Sequence, residues 1–215
     1  MATRKKIIAA NWKMNLTHQE AKSYADVLWV EVGVVNEIEV VLIPPFTAIP
    51  ALAEALEKNP VARLGAQNMH WEKCGAFTGE ISAAMLRALY VNYVVLGHSE
   101  RRTLFGETDE IVNRKITAAL SAGLQPIVCV GETLAERDGK RVEEVLKRQI
   151  QEGLKGVNSR HFHDLVVAYE PLWAIGTGRT ATPEQAQEAH AFIRSVIASV
   201  SDQPTAAQLP IRGQR

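Results

Sequence analysis

Three residues that close apolar runs have the most chemistry to offer in this chain. Glu170 directly follows Leu165-Val166-Val167-Ala168-Tyr169, His98 follows Val94-Val95-Leu96-Gly97, and Lys13 follows Ile7-Ile8-Ala9-Ala10-Asn11-Trp12. Taken singly, each has a plain structural reading: a solvated strand-end acid, a satisfied imidazole, a surface lysine. A carboxylate carried into a dry cleft behaves differently, because loss of water disfavours its charge and makes it a usable general base. A base, an imidazole and a cation gathered at strand ends suit proton abstraction next to a carbonyl. The base takes the proton, while the imidazole and the ammonium stabilise the enediolate oxyanion.

The segment after Glu170 extends that chemistry. Pro171-Leu172-Trp173 reads as a stiff hinge, Ala174-Ile175-Gly176 as an apolar tip and Thr177-Gly178-Arg179 as a second hinge. An enediolate of a phosphorylated sugar eliminates phosphate when water reaches it, and an apolar lid excludes that water. Two other patterns carry less. Gly176-Thr177-Gly178-Arg179-Thr180-Ala181 matches the dinucleotide fingerprint G-x-G-x-x-A, but it does not start directly after its strand, and Ser195–Val200 holds no acid. His161 and His163 sit in a polar loop with no further ligand nearby in sequence, so no metal site is expected.

Such residues must be brought together by the elements between them. Strands are expected at Lys6–Asn11, Val40–Ile43, Ala62–Ala66, Val91–Leu96, Pro126–Val130 and Leu165–Tyr169. Runs such as VVLI, YVVL and PIVCV are apolar on consecutive residues, the mark of strands covered on both faces. Helical patterns alternate with them: from Thr17, at Pro50–Glu57, Ser82–Leu89, Asp109–Ala122 and Val142–Gly153, and from the capping sequence Thr182-Pro183-Glu184-Gln185 to about Ser201. Six βα units in an α/β chain imply a parallel sheet, doubly wound or closed as a barrel with its chemistry at the strand C-terminal ends. The composition agrees with one globular domain over residues 1–215: 47% hydrophobic residues, and 24 Lys+Arg against 24 Asp+Glu for a net charge of zero. Zero net charge removes the electrostatic reason to expect nucleic acid or an anionic membrane. No apolar run is long enough for a signal peptide or a membrane helix, so a cytoplasmic location is expected. Cys74 and Cys129 are too few for a disulfide framework, and Cys129 reads as a small buried hydrophobe.

The segments AANWKMN, QNMHWEKCGAFTGE, LGHSERR, VCVGE and AYEPLWAIGTGRTAT, in this order, resemble the triosephosphate isomerase family from Lys5 to about Val200. The resemblance implies a TIM (β/α)8 barrel and interconversion of dihydroxyacetone phosphate with D-glyceraldehyde 3-phosphate, in glycolysis and gluconeogenesis. It makes Glu170 the proton acceptor and His98 the neutral electrophile; the family is itself a standard case of this pairing, so these roles come from the resemblance. It also makes Lys13 and Asn11 substrate-binding residues, Glu100 the partner that places Lys13, and the Gly176 N–H a donor to the substrate phosphate. It implies no metal or organic cofactor. It implies a homodimer in which the loop 67–80 inserts into the partner and Thr78 reaches the Asn11 region.

One end departs from the family. After six βα units, Leu209-Pro210-Ile211-Arg212 reads as the start of a seventh strand, and the chain stops at Arg215. The loops after strands seven and eight make most of the phosphate site in such barrels. The alternative expectation is therefore a truncated, catalytically impaired barrel fragment, with the first and sixth strands as bare edges.

Overall fold

The computed structural model describes residues 6–32, 37–58, 60, 62–175 and 177–213. Among the described residues, seven strands follow one another along the chain with one or two helices between successive strands. Two compact units are distinguished, Lys5–Val95 with Ala118–Pro126, and Leu96–Thr117 with Ile127–Arg215.

The first unit holds β1 (Lys6–Asn11), α1 (His18–Val32), β2 (Ile38–Ile43), α2 (Ile49–Lys58), β3 (Arg63–Ala66) and α3 (Ala83–Ala88), and most of β4 (Tyr93–Leu96). The strands pair in parallel in chain order, with Ala9 opposite Val41, Leu42 opposite Leu64 and Gly65 opposite Tyr93. Gly65 is required by closeness: an added Cβ would stand 2.8 Å from Ile43 Cγ1. The consecutive apolar residues of β4 are buried on both faces, as continuous runs demand, whereas Ile8 of β1 is 58% exposed.

The second unit holds α4 (Ser99–Phe105), the larger part of α5 (Asp109–Ser121) and of β5 (Gln125–Val130), then α6 (Leu134–Asp138), α7 (Val142–Gly153), β6 (Val166–Tyr169), α8 (Pro183–Val200), α9 (Gln203–Gln208) and β7 (Ile211–Gly213). β5 pairs with β6 and β6 with β7, all in parallel. The sixth strand is thus not an edge: Ile211, Arg212 and Gly213 lie opposite Val167, Ala168 and Tyr169. Thr182 caps α8 in a capping box, with Pro183 in the first turn. No described helix is long and apolar enough to cross a membrane.

A buried ion cluster ties α4 to α5. Glu107 Oε1 accepts from Arg101 Nε and Lys115 Nζ, both at 2.5 Å, and Glu107 and Lys115 are both buried. Burial alone raises the carboxyl's pKa, but the two cations outweigh it and hold Glu107 below its ordinary value. A group with a depressed folded pKa contributes stability above its unfolded pKa and loses it as pH falls through the folded one. Urea midpoints are therefore expected to fall as pH drops below the ordinary carboxylate value of 4.5. Glu107→Ala, which strands two cations, is expected to destabilise by about 3 kcal/mol or more at neutral pH and to flatten that acid limb.

Candidate active site

β4 ends at Leu96 and the chain reverses at Gly97, whose φ is 70°. An added Cβ there would stand 2.9 Å from Arg102 Nη2 and from Val112 Cγ2, so both the backbone angle and the space call for glycine. The turn delivers His98, 4% exposed, to the N-terminus of α4. There the imidazole acts as the helix cap: Nδ1 accepts the Glu100 N–H at 3.2 Å. A ring that accepts at Nδ1 is neutral and carries its proton at Nε2. That Nε2 lies 3.3 Å from Glu170 Oε1.

Glu170 follows the last residue of β6 and is 1% exposed. Its Oε2 accepts the Ser99 N–H at 2.9 Å, while Oε1 has no hydrogen-bond partner among the described residues. One carboxylate oxygen is therefore anchored to the backbone that follows the histidine. The other keeps its lone pairs for a proton, which is the division a positioned base needs. Cys129 of β5 packs beside it. Burial first, then the charge of Glu170, push the Cys129 thiol well above its ordinary pKa, so it stays neutral beside the carboxylate.

The ends of β5 and β6 are joined closely. A Cβ on Gly131 would fall 1.8 Å from the Glu170 carbonyl oxygen. Gln149 on α7, itself buried, accepts the Gly131 N–H at 2.8 Å and donates to its carbonyl at 3.0 Å. The next residue, Glu132, has no exposed surface. It accepts from the Tyr169 hydroxyl at 3.0 Å, Trp173 Nε1 at 2.8 Å and Arg137 Nη1 at 3.0 Å. Burial, then the Glu132 charge, raise the Tyr169 hydroxyl's pKa above its ordinary value. The Arg137 guanidinium also lies over the Trp173 ring, 4.6 Å from its centroid. Trp173 stands in the short 3₁₀ turn Leu172–Ala174, so Glu132 clamps the first hinge of the segment that follows Glu170. Thr177 Oγ1 donates back to the Trp173 carbonyl at 2.6 Å. Gly176 lies outside the described residues.

Asn11, Lys13 and Thr78 belong to the other unit. Lys13 has φ 53°, a left-handed conformation uncommon for a lysine. Its surroundings hold it there. Asn11 Oδ1 accepts the Lys13 N–H at 3.0 Å, Gln67 Nε2 donates to the Lys13 carbonyl at 2.8 Å and to the Ile43 carbonyl at 3.1 Å, and the Trp12 N–H donates to the Ile43 carbonyl. Backbone strain kept in place by several independent bonds is typical of residues aimed for function. Thr78 is exposed, in a loop ordered from within by the His70 ring against Trp71 and Phe77 at 4.1 and 4.4 Å.

Residues 6–212 match the family Triosephosphate isomerase. The chain belongs to that family. It is 50% identical to the triosephosphate isomerase of Carboxydothermus hydrogenoformans over 209 residues, covering 97% of this chain and 83% of that protein. It is 52% identical to that of Moorella thermoacetica over 204 residues, covering 95% and 81%. It is 49% identical to that of Herpetosiphon aurantiacus over 203 residues, covering 94% and 81%.

Within the family frame, the structure brings His98, Glu100 and Glu170 together, with the Glu100 carboxylate 3.6 Å from His98 Nδ1. Sequence reasoning missed Ser99, Glu132 and Gln149 as supports. Their partners are 18 to 71 residues away in the chain, and no local pattern marks such bonds. His161 and His163 face Asp164 at 3.8 and 3.3 Å, and no group of three or more potential metal ligands is present among the described residues.

Two outcomes check this geometry. Nitrogen-15 NMR at neutral pH should find the His98 ring with its proton on Nε2; a proton fixed on Nδ1 would contradict the cap. Gly131→Ala should destabilise by about 1–3 kcal/mol, measured by thermal unfolding, because a backbone oxygen and not a flexible side chain blocks the new methyl.

Proposed function

We propose that Glu170 is the base of a triosephosphate isomerase reaction in this chain. It moves a proton between the two carbons that exchange carbonyl and hydroxyl when dihydroxyacetone phosphate and D-glyceraldehyde 3-phosphate interconvert. The observation that carries this reading is the split carboxylate: Oε2 held by the Ser99 N–H, Oε1 without a hydrogen bond among the described residues and 3.3 Å from His98 Nε2. A substrate carbon placed at Oε1 has its oxygens next to an imidazole N–H. A neutral imidazole donates to the enediolate oxygens without first surrendering a full charge.

Lys13 supplies the cation for the oxyanion, and Asn11 positions it through the Lys13 N–H. Glu100 places the Lys13 ammonium. The Gly176 N–H binds the substrate phosphate when the segment following Glu170 closes, and closure keeps water from the enediolate. Residues 1–215 act as a single, incomplete TIM-barrel domain in the cytoplasm. Two copies form a homodimer through the loop 67–80, with Thr78 directed toward the partner. Support comes from the form of that loop: exposed from Glu72 to Glu80, yet closed on itself by the bonds from the Phe77 N–H to the Gly75 carbonyl and from the Glu80 N–H to the Phe77 carbonyl. A preordered exposed loop loses little freedom on docking.

Conversion of D-glyceraldehyde 3-phosphate by this chain should vanish in Glu170→Gln. Glu170→Asp, which retracts the base by about 1 Å, should lower kcat on the order of 10²-fold and leave KM nearly unchanged. An effect falling mainly on KM would remove Glu170 from the role of base. Absence of turnover in the parent chain would favour the impaired fragment instead.

A further inference from the structure

We propose that Arg102 is a positioning residue for the isomerase reaction, setting His98 and Glu170 in register through backbone carbonyls. The proposal rests on the roles given to those two residues above.

Arg102 is on α4, and its side chain is only 15% exposed. Its Nε donates to the Gly97 carbonyl at 2.8 Å. That carbonyl belongs to the peptide unit that leads into His98. Its Nη2 makes a longer bond, 3.5 Å, to the Cys129 carbonyl in β5, next to Val130, whose own carbonyl accepts the Glu170 N–H at 2.8 Å. Its Nη1 is fixed by Asp109 Oδ1 at 2.6 Å, and Asp109 Oδ2 accepts in turn from Arg148 Nε at 3.2 Å. One rigid fork thus spans two carbonyls, one leading into the electrophile and one beside the base, while a carboxylate at the start of α5 holds the fork in plane. Gly97 fits this arrangement: a Cβ there would press on Arg102 Nη2 at 2.9 Å. The guanidinium touches neither the imidazole nor the Glu170 carboxylate in any bond described above. It acts on where they are held, and with them on the 3.3 Å separation of Nε2 and Oε1.

Lysine cannot replace it. An ammonium is a point donor on a flexible stem and does not reproduce three bonds in one plane. Misplacing reacting groups by about 1 Å reduces turnover on the order of 10²-fold. Substrate affinity drawn from phosphate contacts does not pass through these carbonyls, so the loss should fall on kcat.

The test uses the full chain and Arg102→Ala, Arg102→Lys and Asp109→Asn, with Arg114→Ala, an exposed partner of Glu110, as control. Steady-state kinetics should show kcat down by about 10²-fold in Arg102→Ala and by about 10-fold or more in Arg102→Lys, with KM changed by less than about threefold. Free guanidinium at low millimolar concentration should restore part of kcat to Arg102→Ala, and methylammonium should not. Independently of turnover, nitrogen-15 NMR should show a single His98 tautomer in the parent and a mixture in Arg102→Lys. Unchanged kcat and an unchanged tautomer would overturn the proposal. So would a loss of activity that follows the unfolded fraction and ignores guanidinium, or loss of the fold in all three variants, since either makes Arg102 structural only. Glu170→Gln is run alongside: if it keeps its turnover, the assignment of the base has failed, a result separate from any behaviour of Arg102.

Discussion

A carboxylate at 1% exposure has to find in the polypeptide what water would have supplied, and the second unit is arranged around that requirement at Glu170. A backbone N–H from Ser99 satisfies one oxygen. The remaining oxygen is left facing an imidazole. Satisfying it fully would have made Glu170 a structural ion; leaving both oxygens bare would have made its burial untenable. The partial arrangement holds the base in place and keeps it reactive. It also explains why Gly97 and Gly131 have no side chains: each is where another residue's atoms must come within contact distance for the carboxylate to sit where it does.

The next layer repeats the logic with different chemistry. Glu132, fully buried, is satisfied by three donors from Tyr169, Trp173 and Arg137. Two of these flank Glu170 in sequence, so a second carboxylate fixes the chain on both sides of the first. Removing any single donor would leave a buried charge short of a partner, which is more serious than losing one surface bond. Gln149 performs a neutral version of the task at Gly131, using both ends of its amide. The site is thus stiffened by buried polar groups, set among the buried apolar residues of β5 and β6.

Strain has its own place in the other unit. Lys13 adopts a left-handed backbone that lysine ordinarily avoids, and Asn11 and Gln67 hold it there. An asparagine that binds the second backbone N–H after it is a local device, readable in the pattern Asn-x-Lys once the turn is known. Gln67 is different: it comes from the end of β3 and ties the same loop to the carbonyl that ends β2.

Much was settled by sequence alone, for identifiable reasons. Continuous short apolar runs mark strands covered on both faces, so the cores of β2, β4, β5 and β6 were legible; β1, with Ile8 exposed, and β3 were placed as well, as was the seventh strand at Ile211. The capping box at Thr182 fixed the start of α8 through local hydrogen bonds. Glu170, His98 and Lys13 stood out because polar residues that end apolar strands are conspicuous. The structure alone decided what needed distant partners. The bounds of α4 were not legible because Ser99–Phe105 is mostly polar, leaves Leu104 and Phe105 exposed, and is capped by a histidine, which is not an ordinary capping residue. Cys129 read as a small buried hydrophobe because it lies inside an apolar run, and it is buried in β5. The tasks of Ser99, Glu132, Gln149 and Arg102 depend on bonds across 5 to 71 residues. Periodicity reports which face of an element is buried; it carries no information about which buried polar atom meets which, and that pairing is made only when the strand ends are folded against one another.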